Sequence, residues 1–302
     1  MKSWKAKSLL LFGTAIWGAT FMFTQIGIEY CSPSLYIVIR FCIALILCFI
    51  FFGKHIVKIS KKTAMQGGLL GIFWGFGFLL QTFGLKYTTI TNTAFITNLC
   101  VVLTPFVYWM ISKEKVKPLA KVSVVIGFAG VYVLANPSIG EVNSGDLLIL
   151  ASTIFWALYI SYLHIFTKGT ADFALNTQLI AFQFIVGLAI VLGYFFAFEL
   201  PTVYFTLNTA LIVSILFNAL MASFLVSFIQ ISVQKYTTPV NAALIFALEP
   251  IFASVFSFIF MNEVLSGRGY IGAALMLLAI FVGDTLGLIL EKFKKKNNIS
   301  NF

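Results

Sequence analysis

Ten stretches of this chain are long and apolar enough to cross a lipid bilayer, and together they use nearly all of it. They run approximately over 8–28, 34–52, 64–84, 89–111, 118–136, 146–165, 174–197, 208–231, 239–261 and 267–290. A spanning helix needs about 20 mostly apolar residues, and in lipid every backbone polar group must be satisfied within the segment. The expected fold class is therefore an all-α membrane protein with ten transmembrane helices. Prolines, glycines and charges separate the runs, at Ser32-Pro33-Ser34, Gly53-Lys54, Lys113 to Pro118, Pro137 to Gly145, Pro201 and Gly267-Arg268. The longest connections are only about a dozen residues, too short to hold a soluble catalytic domain. Three lysines precede the first run, but it is too long and too rich in Trp and Gln for a cleaved signal, and it reads as a retained helix.

Charge sets the solvent and the orientation. Only 10% of the 302 residues are charged, against roughly 25% in soluble proteins, so the lipid bilayer is the expected partner for most of the surface. A net charge of +10 would ordinarily raise nucleic acid as a partner. Here the basic residues sit in short loops and at the termini, with no aromatic-interleaved basic patch, so no nucleic acid is expected. With both termini cytoplasmic, only Lys86 and Arg268 of the 20 basic residues fall in outside segments, and Arg40 lies within the second run. That bias satisfies the positive-inside rule. The cysteines (Cys31, Cys42, Cys48, Cys100) and two histidines (His55, His164) lack metal-ligand spacing, and no cofactor is called for.

The chain also contains a duplication. Lys86-Tyr87-Thr88-Thr89 recurs as Lys235-Tyr236-Thr237-Thr238, and a Glu follows each Lys at the same spacing, Glu114 and Glu263. Between these marks Asn92, Ala94, Ile96 and Leu99 match Asn241, Ala243, Ile245 and Leu248 without a gap. Leu9 to Trp17 likewise resembles Leu148 to Trp156. Five helices separate the copies, and five is odd, so the second copy enters the membrane upside down. The expected units are a first five-helix repeat over 1–137, a second over 146–290, and a basic cytoplasmic tail over 291–302. Inverted repeats are a transporter architecture, because exchanging the conformations of the halves exchanges the side to which a central site opens.

Taken in order, these motifs resemble the drug/metabolite transporter superfamily, in its EamA branch of ten-helix permeases. In the first half they are Trp17-Gly18, Pro33 with Arg40, Gln81 to Thr88, Phe95 to Pro105 and Glu114. In the second half they are Gly145-Asp146, Trp156-Ala157, Leu248-Glu249-Pro250, Glu263 and Gly272. The resemblance covers essentially the whole chain. It implies a central cavity lined mainly by helices 1, 3, 4, 6, 8 and 9, and efflux or exchange of amino acids and similar metabolites, at the bacterial plasma membrane.

Individual residues can be weighed by depth. Glu249 lies near the middle of its run, where a carboxyl is costly unless it faces a cavity or finds a partner, and Pro250 after it frees a backbone carbonyl that can line one. Desolvation there disfavours the charged form, so Glu249 is a candidate for substrate contact and for proton coupling; the alternative is an interhelical packing role. Asn98 and Thr97 lie at nearly the same depth, and the repeat sets Cys100 against Glu249, an asymmetry that suits an amphoteric ligand. Asn218 and Gln183 are further mid-depth amides, each with interhelical hydrogen bonding as the competing role. Trp17 and Trp156 are repeat-equivalent and sit at mid-membrane, away from the interfaces where Trp collects; Tyr159 follows Trp156 on nearly the same face. The substrate-binding candidates are thus Trp17, Asn98, Trp156, Tyr159, Asn218 and Glu249. Arg40 reads as structural, snorkelling outward or pairing with Glu29 or another acid. Glu114, Glu263 and Asp284 read as anchors or peripheral packing residues. Gly67, Gly71 and Gly75, and Gly283 with Gly287, have the spacing of close helix contacts.

The expected partner is a small-molecule metabolite, with protons as a possible coupling ion. No phosphate-binding loop is present, which argues against ATP drive within the chain. A membrane-embedded enzyme would need clustered His, Asp or Cys near one interface. A sensor or scaffold would leave the duplication and the midplane Glu unexplained.

Overall fold

The computed structural model describes residues 2–56, 59–88, 90–135, 143–170, 172–261 and 267–282, without the side chains of 91, 92, 134, 135 and 257–261. Glu263, Asp284, Gly283, Gly287 and the tail over 291–302 lie outside the described residues. The rest is almost wholly helical. Ten helices follow one another: α1 (Ser3–Tyr30), α2 (Pro33–Ile56), α3 (Lys61–Tyr87), α4 (Ile90–Asn98 and Cys100–Ser112), α5 (Pro118–Ala135), α6 (Ser144–Thr167) and α7 (Phe173–Tyr194). They continue with α8 (Thr209–Leu216, Phe217–Leu225 and Val226–Val233), α9 (Pro239–Phe246 and Glu249–Met261) and α10 (Gly267–Ile280). Eight helical spans reach membrane-crossing length and apolarity, and two shorter apolar helices, in α5 and α10, complete the ten. The protein is an integral, multi-pass membrane protein. Helix ends overshoot the apolar runs, most clearly in α1, because helical hydrogen bonding continues beyond the hydrocarbon layer.

Packing follows the inverted repeat. α6 lies against α3 and α4, and α1, its counterpart, lies against α8 and α9; α2 packs on α7 and α5 on α10, each on its own counterpart. Every such contact joins the two halves, so neither half buries its apolar faces alone. The glycine stripe of α3 makes one of these contacts close. A Cβ at Gly67 would meet Phe182 Cβ at 2.7 Å, and one at Gly71 would meet the Gln183 carbonyl oxygen at 2.7 Å. Gly75 approaches Gly187 on the same face of α7. Small residues there let backbones approach, which is how helices gain contact in lipid.

The helix termini explain several of the motifs. Asn143 and Asp146 form a reciprocal capping box at the start of α6, and the Asp146 carboxylate also accepts from Thr88 Oγ1 at 2.5 Å. At the same end of the molecule the segment after α7 is tied to the α1–α2 turn. Ser32 N donates to the Tyr204 carbonyl at 2.9 Å and Thr206 N to that of Tyr30 at 2.8 Å. The buried Glu199 accepts from the backbone amides of Ser34 (3.0 Å) and Leu35 (3.2 Å), placing a carboxylate at the N-terminus of α2, where the helix dipole favours it.

Candidate functional site

Two helices break at the same point of the repeat. In α4 the regular ladder stops at Leu99, whose amide bonds back to Ile96 at 3.0 Å, three residues away; in α9 it stops at Ala247 and Leu248, and the Leu248 amide reaches Ile245 at 3.1 Å. Beyond each break the helix restarts from the same carbonyl. Leu99 O accepts from Val102 (2.9 Å) and Leu103 (3.1 Å), and Leu248 O from Ile251 (2.9 Å) and Phe252 (3.3 Å). The first residue after the break is Cys100 in one copy and Glu249 in the other.

A cavity lies between the breaks, with about 690 Å³ of space not filled by atoms, open mouth included. Trp17, Thr20 and Phe21 of α1, Trp74, Phe78 and Gln81 of α3, and Thr97, Asn98, Cys100 and Val101 of α4 form part of its wall. Trp156, Tyr159 and Ile160 of α6, Gln230 of α8, and Ala243, Phe246, Ala247 and Glu249 of α9 form the rest, with one residue of α2, Arg40. Trp17 with Trp156, Gln81 with Gln230, and Cys100 with Glu249 are repeat-equivalent pairs. The lining therefore inherits the pseudo-symmetry of the fold.

Five of the six candidate residues meet here: Trp17, Asn98, Trp156, Tyr159 and Glu249. Asn218 does not. It sits in the π-helical stretch of α8, where its Nδ2 donates to Thr24 Oγ1 at 3.0 Å and to the Tyr36 hydroxyl at 2.6 Å. It joins α8 to α1 and α2, the interhelical role that competes for any buried amide. Gln183 likewise acts from behind the wall, accepting from the Tyr159 hydroxyl at 2.9 Å and so fixing that side chain. Glu114 lies at the far end from Asp146, bridging the Tyr108 hydroxyl (2.7 Å) and Lys168 (2.6 Å). Lys168 and Tyr108 hold its carboxyl below the ordinary carboxylate range.

Several polar groups around the cavity are unspent. Glu249 is 8% exposed, and its carboxyl forms no hydrogen bond with the described residues. Trp156 Nε1, Trp74 Nε1 and Gln230 Oε1 are buried without a partner among the described residues, although Trp17 Nε1 donates to the Ala222 carbonyl at 3.3 Å. Buried polar groups are normally paired. A wall carrying several unpaired ones beside apolar rings has the make-up of an organic-ligand site. Gly77 makes room for the Trp156 indole, 3.1 Å from where a Cβ would stand, and that ring meets Phe78 edge-on at 5.0 Å between centroids. Among the described residues no three of His, Cys, Asp and Glu gather to hold a metal ion.

Arg40 finds a different partner from those its sequence position suggests. It neither snorkels nor pairs with Glu29: it is 2% exposed and its Nε donates to Ser223 Oγ of α8 at 2.5 Å. The available signal was depth, since an arginine inside a span with no acid on its own helix must find its partners elsewhere.

The family model described as EamA-like transporter family matches this chain twice, over residues 4–136 and 143–282. The chain belongs to the EamA-like transporter family. A protein of Archaeoglobus fulgidus named "Uncharacterized transporter" is 32% identical over 267 residues, covering 88% of this chain and 82% of that protein. A second, equally named protein of the same organism is 25% identical, covering 86% of this chain and 90% of its own length. The Bacillus subtilis protein named "Uncharacterized transporter YyaM" is 32% identical over about half of each chain, 50% of this one and 53% of the other. One solved crystal structure superposes on 96% of this chain and 100% of its own with a TM-score of 0.76 at 16% identity. At that identity the likeness shows the fold alone. As a member of this family the protein is a membrane transporter.

Proposed function

We propose that this protein is a secondary transporter of small organic metabolites, amino acids or related compounds, which it exports or exchanges by alternating access. The observation that carries the reading is the cavity between two repeat-equivalent helix breaks. Broken helices near mid-membrane are where inverted-repeat transporters bind their cargo. Trp17, Trp156 and Tyr159 supply the aromatic wall, Asn98 a polar edge, and Glu249 a carboxyl that changes its surroundings as the cavity turns from one side to the other. Glu249 is the coupling residue in this reading; the other titratable or charged groups facing the same cavity are Arg40, Tyr159 and Cys100. Protons are the coupling ion, and no step is enzymatic.

The test is counterflow in proteoliposomes with a panel of labelled amino acids and related metabolites. Accumulation of a labelled solute driven by the same solute trapped inside is the expected result. A panel that fails throughout, with protein shown folded and inserted, overturns the reading. The bacterial plasma membrane is the proposed location, with both termini cytoplasmic. An impermeant thiol reagent on intact cells should then label a single cysteine at Leu207 and spare one at Gly169; the opposite pattern reverses the orientation.

A further inference from the structure

Arg40 is a cation buried inside the protein. Among the described residues it makes no ion pair, and its donation to Ser223 is the one hydrogen bond of its guanidinium. Its charge lies over the Phe78 ring at 4.4 Å from the centroid. Nη2 is buried and without a partner among the described residues, and Arg40 lines the cavity. An arginine carries five N–H donors and cannot shed its proton. A hydroxyl and an aromatic face offset only part of the cost of taking that charge out of water. The remainder calls for an anion, and none of the described residues forms an ion pair with Arg40.

The surroundings narrow the anion. Trp74 and Trp156 also line this cavity, and each has a buried indole Nε1 without a partner among the described residues, as does one acceptor, Gln230 Oε1; the unpaired groups are thus mostly donors, which fits an acceptor group. A planar carboxylate matches the guanidinium fork and accepts two parallel hydrogen bonds. The Phe78 and Trp156 rings offer apolar cover for an organic body beside it, which hydrated inorganic ions lack. Arg40 is the one cation among the described lining residues, so a second negative charge on the ligand would be buried uncompensated. The class that fits is an organic molecule with a single carboxylate.

We propose that Arg40 is the anchoring residue for a carboxylate on the transported solute, which makes organic monocarboxylates the substrate class of this cavity. The proposal rests on the cavity being the transport site. It is tested by binding, which requires no transport. Trp17, Trp74 and Trp156 line the cavity and report on its occupant by fluorescence. The purified full chain would be titrated with phenylacetate and with phenylacetamide, its neutral near-isostere. Phenylacetate should quench saturably and bind at least about tenfold tighter than the amide, the difference expected of a charge-assisted hydrogen bond. Arg40→Gln should erase that difference and Arg40→Lys should keep part of it. The acid-versus-amide comparison in the unaltered protein holds even where a variant misfolds. Equal affinity for acid and amide overturns the proposal, as does silence towards phenylacetate at concentrations on the order of 10 mM. Quenching by chloride or phosphate as strong as that by phenylacetate also overturns it, since the site is then a general anion site. Failure in counterflow with carboxylate binding intact sinks the transporter reading alone. Counterflow of a solute without a carboxylate, undiminished in Arg40→Gln, sinks the Arg40 assignment alone.

Discussion

The break in α4 and the break in α9 have the same backbone and different chemistry. Both close with a three-residue hydrogen bond and restart from the same carbonyl, yet one presents Cys100 and the other Glu249. Their flanking helices differ too. Trp17 of α1 spends its indole N–H on the Ala222 carbonyl, whereas its counterpart Trp156 keeps its own unspent. Repetition of the backbone builds the framework, and departures from repetition mark where a ligand would be sensed. Stability should therefore respond to changes in the shared features, and ligand response to changes in the unshared ones.

The largest effect on stability is expected where α1 crosses the break in α9. A Cβ at Gly18 would stand 2.7 Å from Phe252 Cβ, 2.9 Å from the Ala253 nitrogen and 3.0 Å from the Glu249 carbonyl oxygen. Two of those atoms are backbone and cannot turn away. Gly18→Ala should cost roughly 1–3 kcal/mol, the usual range for overpacking, read as a lower Tm and weakened counterflow. The equivalent position already carries Ala157, fully buried in the core. Ala157→Gly should cost less, about 1 kcal/mol from helix propensity. Equal losses at both sites would show that the two crossings are equally tight and break the comparison.

The tryptophans come next. Trp17→Phe forfeits a hydrogen bond and leaves the Ala222 carbonyl without that donor, a loss of about 1 kcal/mol beyond the change in packing. Trp156→Phe forfeits no bond within the protein, so its Tm should move less while its ligand response moves more. Matching shifts in Tm and ligand affinity for the two variants would remove the distinction drawn between them.

The smallest effect belongs to the Glu114–Lys168 pair, whose side chains are both 53% exposed. The folded carboxyl is held below its ordinary range, so the pair's stabilisation is present above the unfolded carboxylate range and is lost as pH falls through the depressed value. Exposed pairs contribute at most ~1 kcal/mol, so Lys168→Met should leave the Tm at neutral pH nearly unchanged. A large drop would mean that this contact clasps the two halves.

How much of this was legible in the sequence depended on the range of the interaction. The ten helices show because lipid demands long apolar runs, and the duplication shows because Lys-Tyr-Thr-Thr recurs with a fixed spacing to Glu. The breaks were less legible. Pro250 hints at one, but Leu99 sits in an apolar run with no nearby glycine or proline until Pro105. Arg40 and Asn218 were read by depth alone, and depth does not say which helix a side chain faces. The Arg40 hydroxyl partner is 183 positions away on α8, and Asn218 is held by partners 194 and 182 positions away. Gly67, Gly71 and Gly75 gave the close contact from spacing, though not its partner, α7.

The central claim is that the ionisable carboxyl at the second break, Glu249 where α4 has Cys100, couples transport to protons. The most direct measurement is the pH dependence of counterflow and of gradient-driven uptake in proteoliposomes, for the unaltered protein and for Glu249→Gln. Glutamine matches the neutral carboxyl in size, so the variant should insert and fold with a near-normal Tm. The account predicts that gradient-driven accumulation disappears and the pH profile flattens in Glu249→Gln, while counterflow at equal pH persists. Unchanged accumulation with an unchanged pH profile in the folded variant would contradict it.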